Sequence, residues 1–231
     1  MIDSSSNQRT LEWYRARLGC ITGSRVSDIM KSGRKKDVLF GDTAMSYIYQ
    51  VAGERMLNAQ FVEDDGIFAD YIEQTQTTSK AIQWGQEQEH NAIDILRHYH
   101  PEWEFMEVGS CRHDTIDHFA ASPDGLVRMA NGDLYVIEVK CPNVNTFMRY
   151  ATEISSGATL LACKPEYYYQ MQAEMSCTGA VAGIFITYCP WLSYPFHTAI
   201  IERSSDMIEA IEDRVRKAND VIHEIIETLD N

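Results

Sequence analysis

Asp133-Leu-Tyr-Val-Ile-Glu-Val-Lys140 is the stretch on which the reading of this chain turns. Side chains along a strand alternate between two faces. Tyr135, Ile137 and Val139 share one face, and Leu134, Val136, Glu138 and Lys140 share the other. Both faces are mainly apolar, which predicts a strand inside a sheet and covered on both sides. Two charged side chains then lie on a buried face, where a charge is tolerated only if it is paired or binds a cation. A structural Glu–Lys pair at a strand end meets that requirement, and so does a metal site.

A few residues upstream is Ser122-Pro-Asp-Gly125. Alone it is ordinary turn chemistry. Asn131-Gly132 then signals a two-residue hairpin between strands Gly125–Met129 and Leu134–Lys140. That hairpin sets Asp124 beside Glu138. Two carboxylates and a lysine converge at one end, an arrangement able to hold a hard divalent cation through oxygen. A third acid comes from a helix read over Ser79–Tyr99, with an apolar stripe of Ile82, Gly85, Ala92, Ile93 and Leu96. Glu89 falls on the stripe side and Glu87 off it.

Further elements follow the same logic. Helices are read at Leu11–Arg17, from Thr22 or Ser24 to Met30, at Thr43–Leu57, Thr146–Ile154, Pro165–Cys177 and Asp206–Leu229. Strands are read at Phe105–Arg112, Phe119–Ala121, Val181–Tyr188 and Pro195–Ile201. The polar, acidic run Asn58–Thr78 is read as a surface loop. The terminal helix carries Ile208, Ile211, Val215, Ala218, Ile222, Ile225 and Leu229 in a heptad-like seam. Covering its own sheet is the first expectation for that seam, and a subunit contact the second. Strands interleaved with helices predict an α/β fold, a mixed central sheet flanked by helices. With 231 residues and no linker, a single domain is expected: N-terminal helices over 1–100, a core sheet over 104–202 and a C-terminal helix over 204–229.

Composition narrows the function. Lys and Arg number 20 against 34 Asp and Glu, a net charge of −14. That argues against a generic basic nucleic-acid coat, but not against a nuclease with its own acidic site. The six cysteines show no zinc or iron–sulfur spacing and read as small hydrophobes. No membrane span and no signal-peptide pattern is present in the sequence, so a cytosolic protein is expected. Lys31-Ser-Gly-Arg-Lys-Lys36, with Lys31, Arg34 and Lys35, is a local basic cluster suited to phosphate contacts.

Pro123-Asp124, thirteen residues, then Glu138-Val-Lys140 resembles the PD-(D/E)xK nuclease signature. The wider order of motifs resembles the phage lambda-type recombination exonucleases, or YqaJ-like viral recombinases. Arg17-Leu-Gly-Cys-Ile-Thr-Gly-Ser24 resembles that family's N-terminal motif, and Trp84-Gly-Gln-Glu-Gln-Glu89 its acidic helix motif. Ser122-Pro-Asp-Gly125 and Ile137-Glu-Val-Lys-Cys-Pro142 resemble its catalytic motifs, and Tyr167-Tyr-Tyr-Gln-Met-Gln172 its glutamine helix.

The resemblance implies a restriction-endonuclease-like core and a 5′→3′ exonuclease of double-stranded DNA, releasing mononucleotides and leaving a 3′ tail for recombination by annealing. Asp124, Glu138 and the Val139 carbonyl would hold one or two Mg²⁺ ions, with Mn²⁺ as a substitute and Glu89 at the second site. Lys140 would position water, Gln170 would bond near the scissile phosphate, and Tyr167 would lie beside it. Arg17, Ser24 and Ser122 would bind the 5′-phosphate, while Lys31, Arg34, Lys35, Lys80 and the wedge Ile82 would handle DNA. The implied partners are 5′-phosphorylated duplex ends, a homotrimeric ring and a single-strand annealing protein, in a phage or prophage context within the bacterial cytoplasm. The alternatives are a PD-(D/E)xK endonuclease and a non-catalytic protein that binds DNA ends. The segment Asn58–Thr78 and the stretch Ser193-Tyr-Pro-Phe196 depart from the family pattern.

Overall fold

The computed structural model describes residues 8–33, 38–75 and 79–229. The N-terminal part is helical: α1 (Leu11–Arg17), a short β1 (Ile21–Thr22), a 3-10 turn (Gly23–Arg25), α2 (Val26–Ile29), α3 (Asp42–Arg55), α4 (Ala59–Glu63), α5 (Asp65–Thr75) and α6 (Lys80–Tyr99). Strands β2 (Glu104–Met106), β3 (Cys111–Arg112), β4 (Phe119–Ala121), β5 (Gly125–Arg128) and β6 (Leu134–Lys140) follow. Helices α7 (Val144–Glu153), α8 (Gly157–Cys163) and α9 (Pro165–Thr178) lead to β7 (Ala182–Tyr188), β8 (Phe196–Glu202) and α10 (Ser205–Leu229).

The main sheet has the order β2-β5-β6-β7-β8, and β1-β4-β3 form a small second sheet. β6 and β7 are parallel, and their connection runs through α7, α8 and α9, as a parallel pair requires. The other neighbours in the main sheet are antiparallel. β6 is therefore central, and its bounds match the sequence reading. One face, with Ile137 and Val139, packs against Ala92 and Leu96 of α6. The other face, with Val136, joins the larger core that contains α9. Gly183 on β7 makes that approach close: a Cβ there would stand 2.5 Å from Met171 Cε and 2.9 Å from Val136 Cγ2. The α9 side chains that follow are thus held near the sheet.

Several local expectations are corrected. Of the loop expected over 58–78, residues 58–75 instead form α4 and α5, and residues 76–78 lie outside the described residues. Asn58 and Asp64 each accept a backbone N–H at the helix starts, and Phe68 is buried. Phe105–Arg112 is not one strand: β2 and β3 belong to different sheets. The hairpin at Asn131-Gly132 has three loop residues, not two. Gly132 has φ +90° and donates to Met129 O, while Met129 N–H bonds Asp133 O. Asn131 has no positive φ, so this is a type I turn closed by a bulged glycine. Helix α8 was not expected.

The α10 seam buries Ile208, Ile211, Val215, Ala218 and Ile222. It lies against α3, α9 and α2, so it covers the helices beneath it more than the sheet. Among the described residues no helix is long and apolar enough to cross a membrane. All six cysteines are free thiols, four of them buried.

Gly183→Ala is expected to lower stability by about 1–3 kcal/mol through overpacking against Met171 and Val136. Urea unfolding measures this, and an unchanged midpoint would show that α9 does not depend on the close approach.

Candidate active site

Gly125 pairs with Ile137 in the β5–β6 ladder, which brings Asp124 to the far end of β6. Asp124 Oδ2 accepts the Val139 N–H at 2.7 Å. Glu138 points to the α9 side and is 1% exposed. Lys140 lies two residues on, on the same face, and its ammonium donates to Glu138 Oε1. Gln170 on α9 donates its amide to that oxygen at 2.7 Å and to Glu174 Oε1 at 2.9 Å. The Lys140 ammonium also lies over the Tyr167 ring, 4.9 Å from its centroid. The expected set of Asp124, Glu138, Lys140, Gln170 and Tyr167 is thus brought together.

Glu89 approaches from α6. It is half-buried and pairs with Arg9 at 2.5 Å. Gln8 anchors this N-terminal segment by donating to Pro123 O at 2.7 Å and Val108 O at 3.3 Å. Glu89 and Asp124 line one cleft of about 610 Å³ between α6, β2 and β5.

Acid outweighs base here. Burial, then the charges of Glu138 and Glu89, hold the Asp124 carboxyl well above the usual aspartate range. Burial also raises Glu89, against the pull of Arg9. Burial and the nearby Glu138 hold Glu174 well above the glutamate range. For Lys140, burial opposes the charge, but Glu138 and Asp124 outweigh it and keep the ammonium above the ordinary lysine value. Lys140 is therefore a cationic donor here, not a free base.

Among the described residues, no three His, Cys, Asp or Glu side chains stand close enough to hold a cation as they are. Internal donors engage the acids instead: Val139 N–H on Asp124, Arg9 on Glu89, and Lys140 and Gln170 on Glu138. The donor set still fits a hard divalent cation. Carboxylate and carbonyl oxygens are its chemistry. Glu138 Oε2 is buried without a hydrogen-bond donor, and both the burial and the neighbouring acids that raise Asp124 are what a cation would offset.

The expected phosphate residues are only partly assembled. Arg17 and Ser24 line a cavity of about 310 Å³ together with Thr22, Arg25, Tyr47, Glu54 and Tyr71. The Arg17 guanidinium lies 4.1 Å over Trp13, and burial lowers its pKa. Among the described residues no carboxylate forms an ion pair with Arg17. Ser122 does not line this cavity. It accepts from Trp13 Nε1 at 3.2 Å and so meets Arg17 only through that indole. Lys80 and Ile82 are exposed on the first turn of α6, so Ile82 is not part of the core stripe. Lys31 is exposed and pairs with Asp28 at 3.3 Å. Arg34 and Lys35 lie outside the described residues.

Sequence reasoning missed four groups. Glu174 is 1% exposed and faces the site from α9. The i to i+4 spacing from Gln170 was the available signal. Thr187, opposite Lys140 in the β6–β7 register, has a buried hydroxyl without a partner. Arg9, and the Thr22–Tyr47 wall of the second cavity, had no local signal.

A family model for the YqaJ-like viral recombinase domain matches residues 12–181. The chain is 31% identical to an alkaline exonuclease from Laribacter hongkongensis, over 96% of both chains, with a TM-score of 0.73. A structure of that exonuclease in complex with dAMP gives 32% identity over 95% of this chain and 96% of the other, again with a TM-score of 0.73. A phage-related exonuclease from Haemophilus somnus 129PT matches at 17% identity and a TM-score of 0.62, over 93% of this chain and 98% of that one, which bears on the fold alone. No curated protein matches. The mixed sheet with flanking helices is thus of the PD-(D/E)xK nuclease type.

Asp124→Asn keeps an acceptor for Val139 N–H and removes a charge. An acid raised in the folded state stabilises most below its unfolded value of about 4, and that contribution is lost as pH rises through the folded value. Without metal, the variant is expected to be more stable than wild type at pH 8 by about 1–4 kcal/mol, and less so at pH 4. Urea unfolding in a chelator at both pH values measures this; a variant less stable at pH 8 would contradict it.

Proposed function

This chain belongs to the YqaJ-like viral recombinase family, and on that premise we propose that it is a metal-dependent 5′→3′ exonuclease of double-stranded DNA. It releases mononucleotides and leaves a 3′ tail for strand annealing. The observation that carries the reading is the convergence of Asp124, Glu138 and Lys140 at the end of β6, with one oxygen of buried Glu138 unpaired. A non-catalytic fold relative would have no reason to keep that oxygen unsatisfied.

Asp124, Glu138 and the Val139 carbonyl would hold the cation, Mg²⁺ or Mn²⁺, with Glu89 serving a second ion. When bound, the ion supplies a polarised phosphodiester and a more acidic water. The rest is done by the chain. Lys140 has N–H groups beyond the one on Glu138, and these orient the attacking water or meet a phosphate oxygen. Gln170 has its amide nitrogen committed to two carboxylates. Its carbonyl oxygen is the end left for substrate, so it serves as an acceptor toward water and not as a phosphate donor.

Arg17, with Thr22 and Ser24, would receive the 5′-phosphate, a dianion suited to a guanidinium fork. Recognition of the end and not of bases gives sequence-independent digestion. Lys31, Arg34, Lys35 and Lys80 would supply contacts to the DNA backbone, and the exposure of Ile82 supports its reading as the wedge. The assembly would be a trimeric ring acting with an annealing protein. Most of the α10 seam is spent on the chain's own core, while Leu229 at its end is exposed.

One plasmid, supplied as a closed circle and as a linear 5′-phosphorylated duplex, tests this with Mg²⁺. Only the linear form is expected to disappear. Lys140→Ala should slow digestion by about 10²–10³-fold. Arg17→Ala should reduce the preference for 5′-phosphate over 5′-hydroxyl ends by about tenfold or more. Cutting of the circle would favour an endonuclease, and DNA-end binding without hydrolysis would favour a binding protein.

A further inference from the structure

Gln170 and Glu174 lie one helical turn apart on α9. The Gln170 amide nitrogen has two N–H groups. One goes to Glu138 Oε1 and the other to Glu174 Oε1. Glu174 is 1% exposed, its carboxyl lies within hydrogen-bonding reach of Glu138, no N–H reaches its Oε2, and among the described residues no cation pairs with it. A buried carboxylate without a cation is a poor way to pack a helix on a sheet. An apolar side chain of the same length would serve stability better. Packing therefore does not explain it.

We propose that Glu174 is a positioning residue that acts through Gln170. By taking one amide N–H, it commits the other to Glu138 Oε1, the same oxygen that Lys140 holds. Glu138 Oε2 is then left as the open oxygen of the buried carboxylate. Released from Glu174, the Gln170 amide can rotate and cap Oε2 or leave Glu138 altogether. Either motion disorders the carboxylate against which the reacting groups are aligned. Glu174 touches no substrate in this account. The inference rests on the nuclease reading of the same site.

Three substitutions separate the possibilities: Glu174→Gln keeps an acceptor at the same reach, Glu174→Asp keeps the charge but withdraws the oxygen, and Glu174→Met keeps only the shape. Steady-state digestion of a linear duplex and calorimetric Mn²⁺ binding without DNA are measured on each. Glu174→Met and Glu174→Asp are expected to lower kcat about tenfold with KM within about twofold, and to weaken Mn²⁺ binding. Glu174→Gln should stay within about threefold of wild type. In a Gln170→Met background, Glu174→Met should add nothing, because the residue it acts through is gone. Should Glu174→Met fail to fold, the Asp and Gln variants carry the comparison. Equal kcat in all folded variants would overturn the inference. So would an equal loss in both backgrounds, or a loss seen only in thermal stability. A wild type that neither binds Mn²⁺ nor digests DNA contradicts the nuclease reading itself; an active wild type with indifferent variants contradicts only the role of Glu174.

Discussion

Glu138 is a carboxylate buried on the inner face of a central strand, and the surrounding structure answers that one constraint. A charge in that position needs donors close at hand. One comes from its own strand, since Lys140 emerges on the same face two residues later. The other comes from Gln170, which requires α9 to lie tightly over β6 and β7. Gly183 makes room for that approach, and Gln172 fixes the helix from its far side by bonding Glu202 O and Ser204 N–H. Asp124 then ties β5 to β6 through Val139 N–H. The contacts that pack α9 and β5 onto β6 are the same ones that assemble the proposed site.

The site is organised but under-neutralised. Glu89, Asp124, Glu138 and Glu174 share Arg9 and Lys140 as their nearby cations. Burial, and then repulsion among the acids, raises Asp124 and Glu174, while the same acids hold Lys140 protonated. Such an imbalance weakens the empty protein and favours anything that brings positive charge. The Arg17 cavity is more balanced: a guanidinium stacked on Trp13, Arg25 and hydroxyls share it with Glu54. The overall charge of −14 says little about either, because each site works through local groups.

What could be read from the sequence was local. Strand β6 was legible to its ends because alternation is a property of successive residues, and the turn before β5 fixed Asp124 opposite it. Glu89 was legible from its place on the stripe of α6. What failed depended on contacts distant in sequence. Glu174 stands one helical turn from Gln170, but that spacing alone does not mark an acid as buried against the sheet, so it passed unnoticed. Arg9 meets Glu89 across eighty positions. The 58–75 segment reads as acidic and polar, yet Phe68 under Arg15 holds it as helix. Ser122 was expected beside Arg17, but its hydroxyl accepts from the Trp13 indole instead.

The central claim is that Asp124, Glu138 and the Val139 carbonyl form a cation site built into the sheet. Anomalous diffraction from a crystal soaked in Mn²⁺ tests it most directly. The account predicts a peak within bonding distance of both carboxylates and that carbonyl, with ligand distances near those of a hard divalent ion, about 2.0–2.3 Å. A Mn²⁺-saturated crystal with no peak there, or with its peak elsewhere in the chain, would contradict the account.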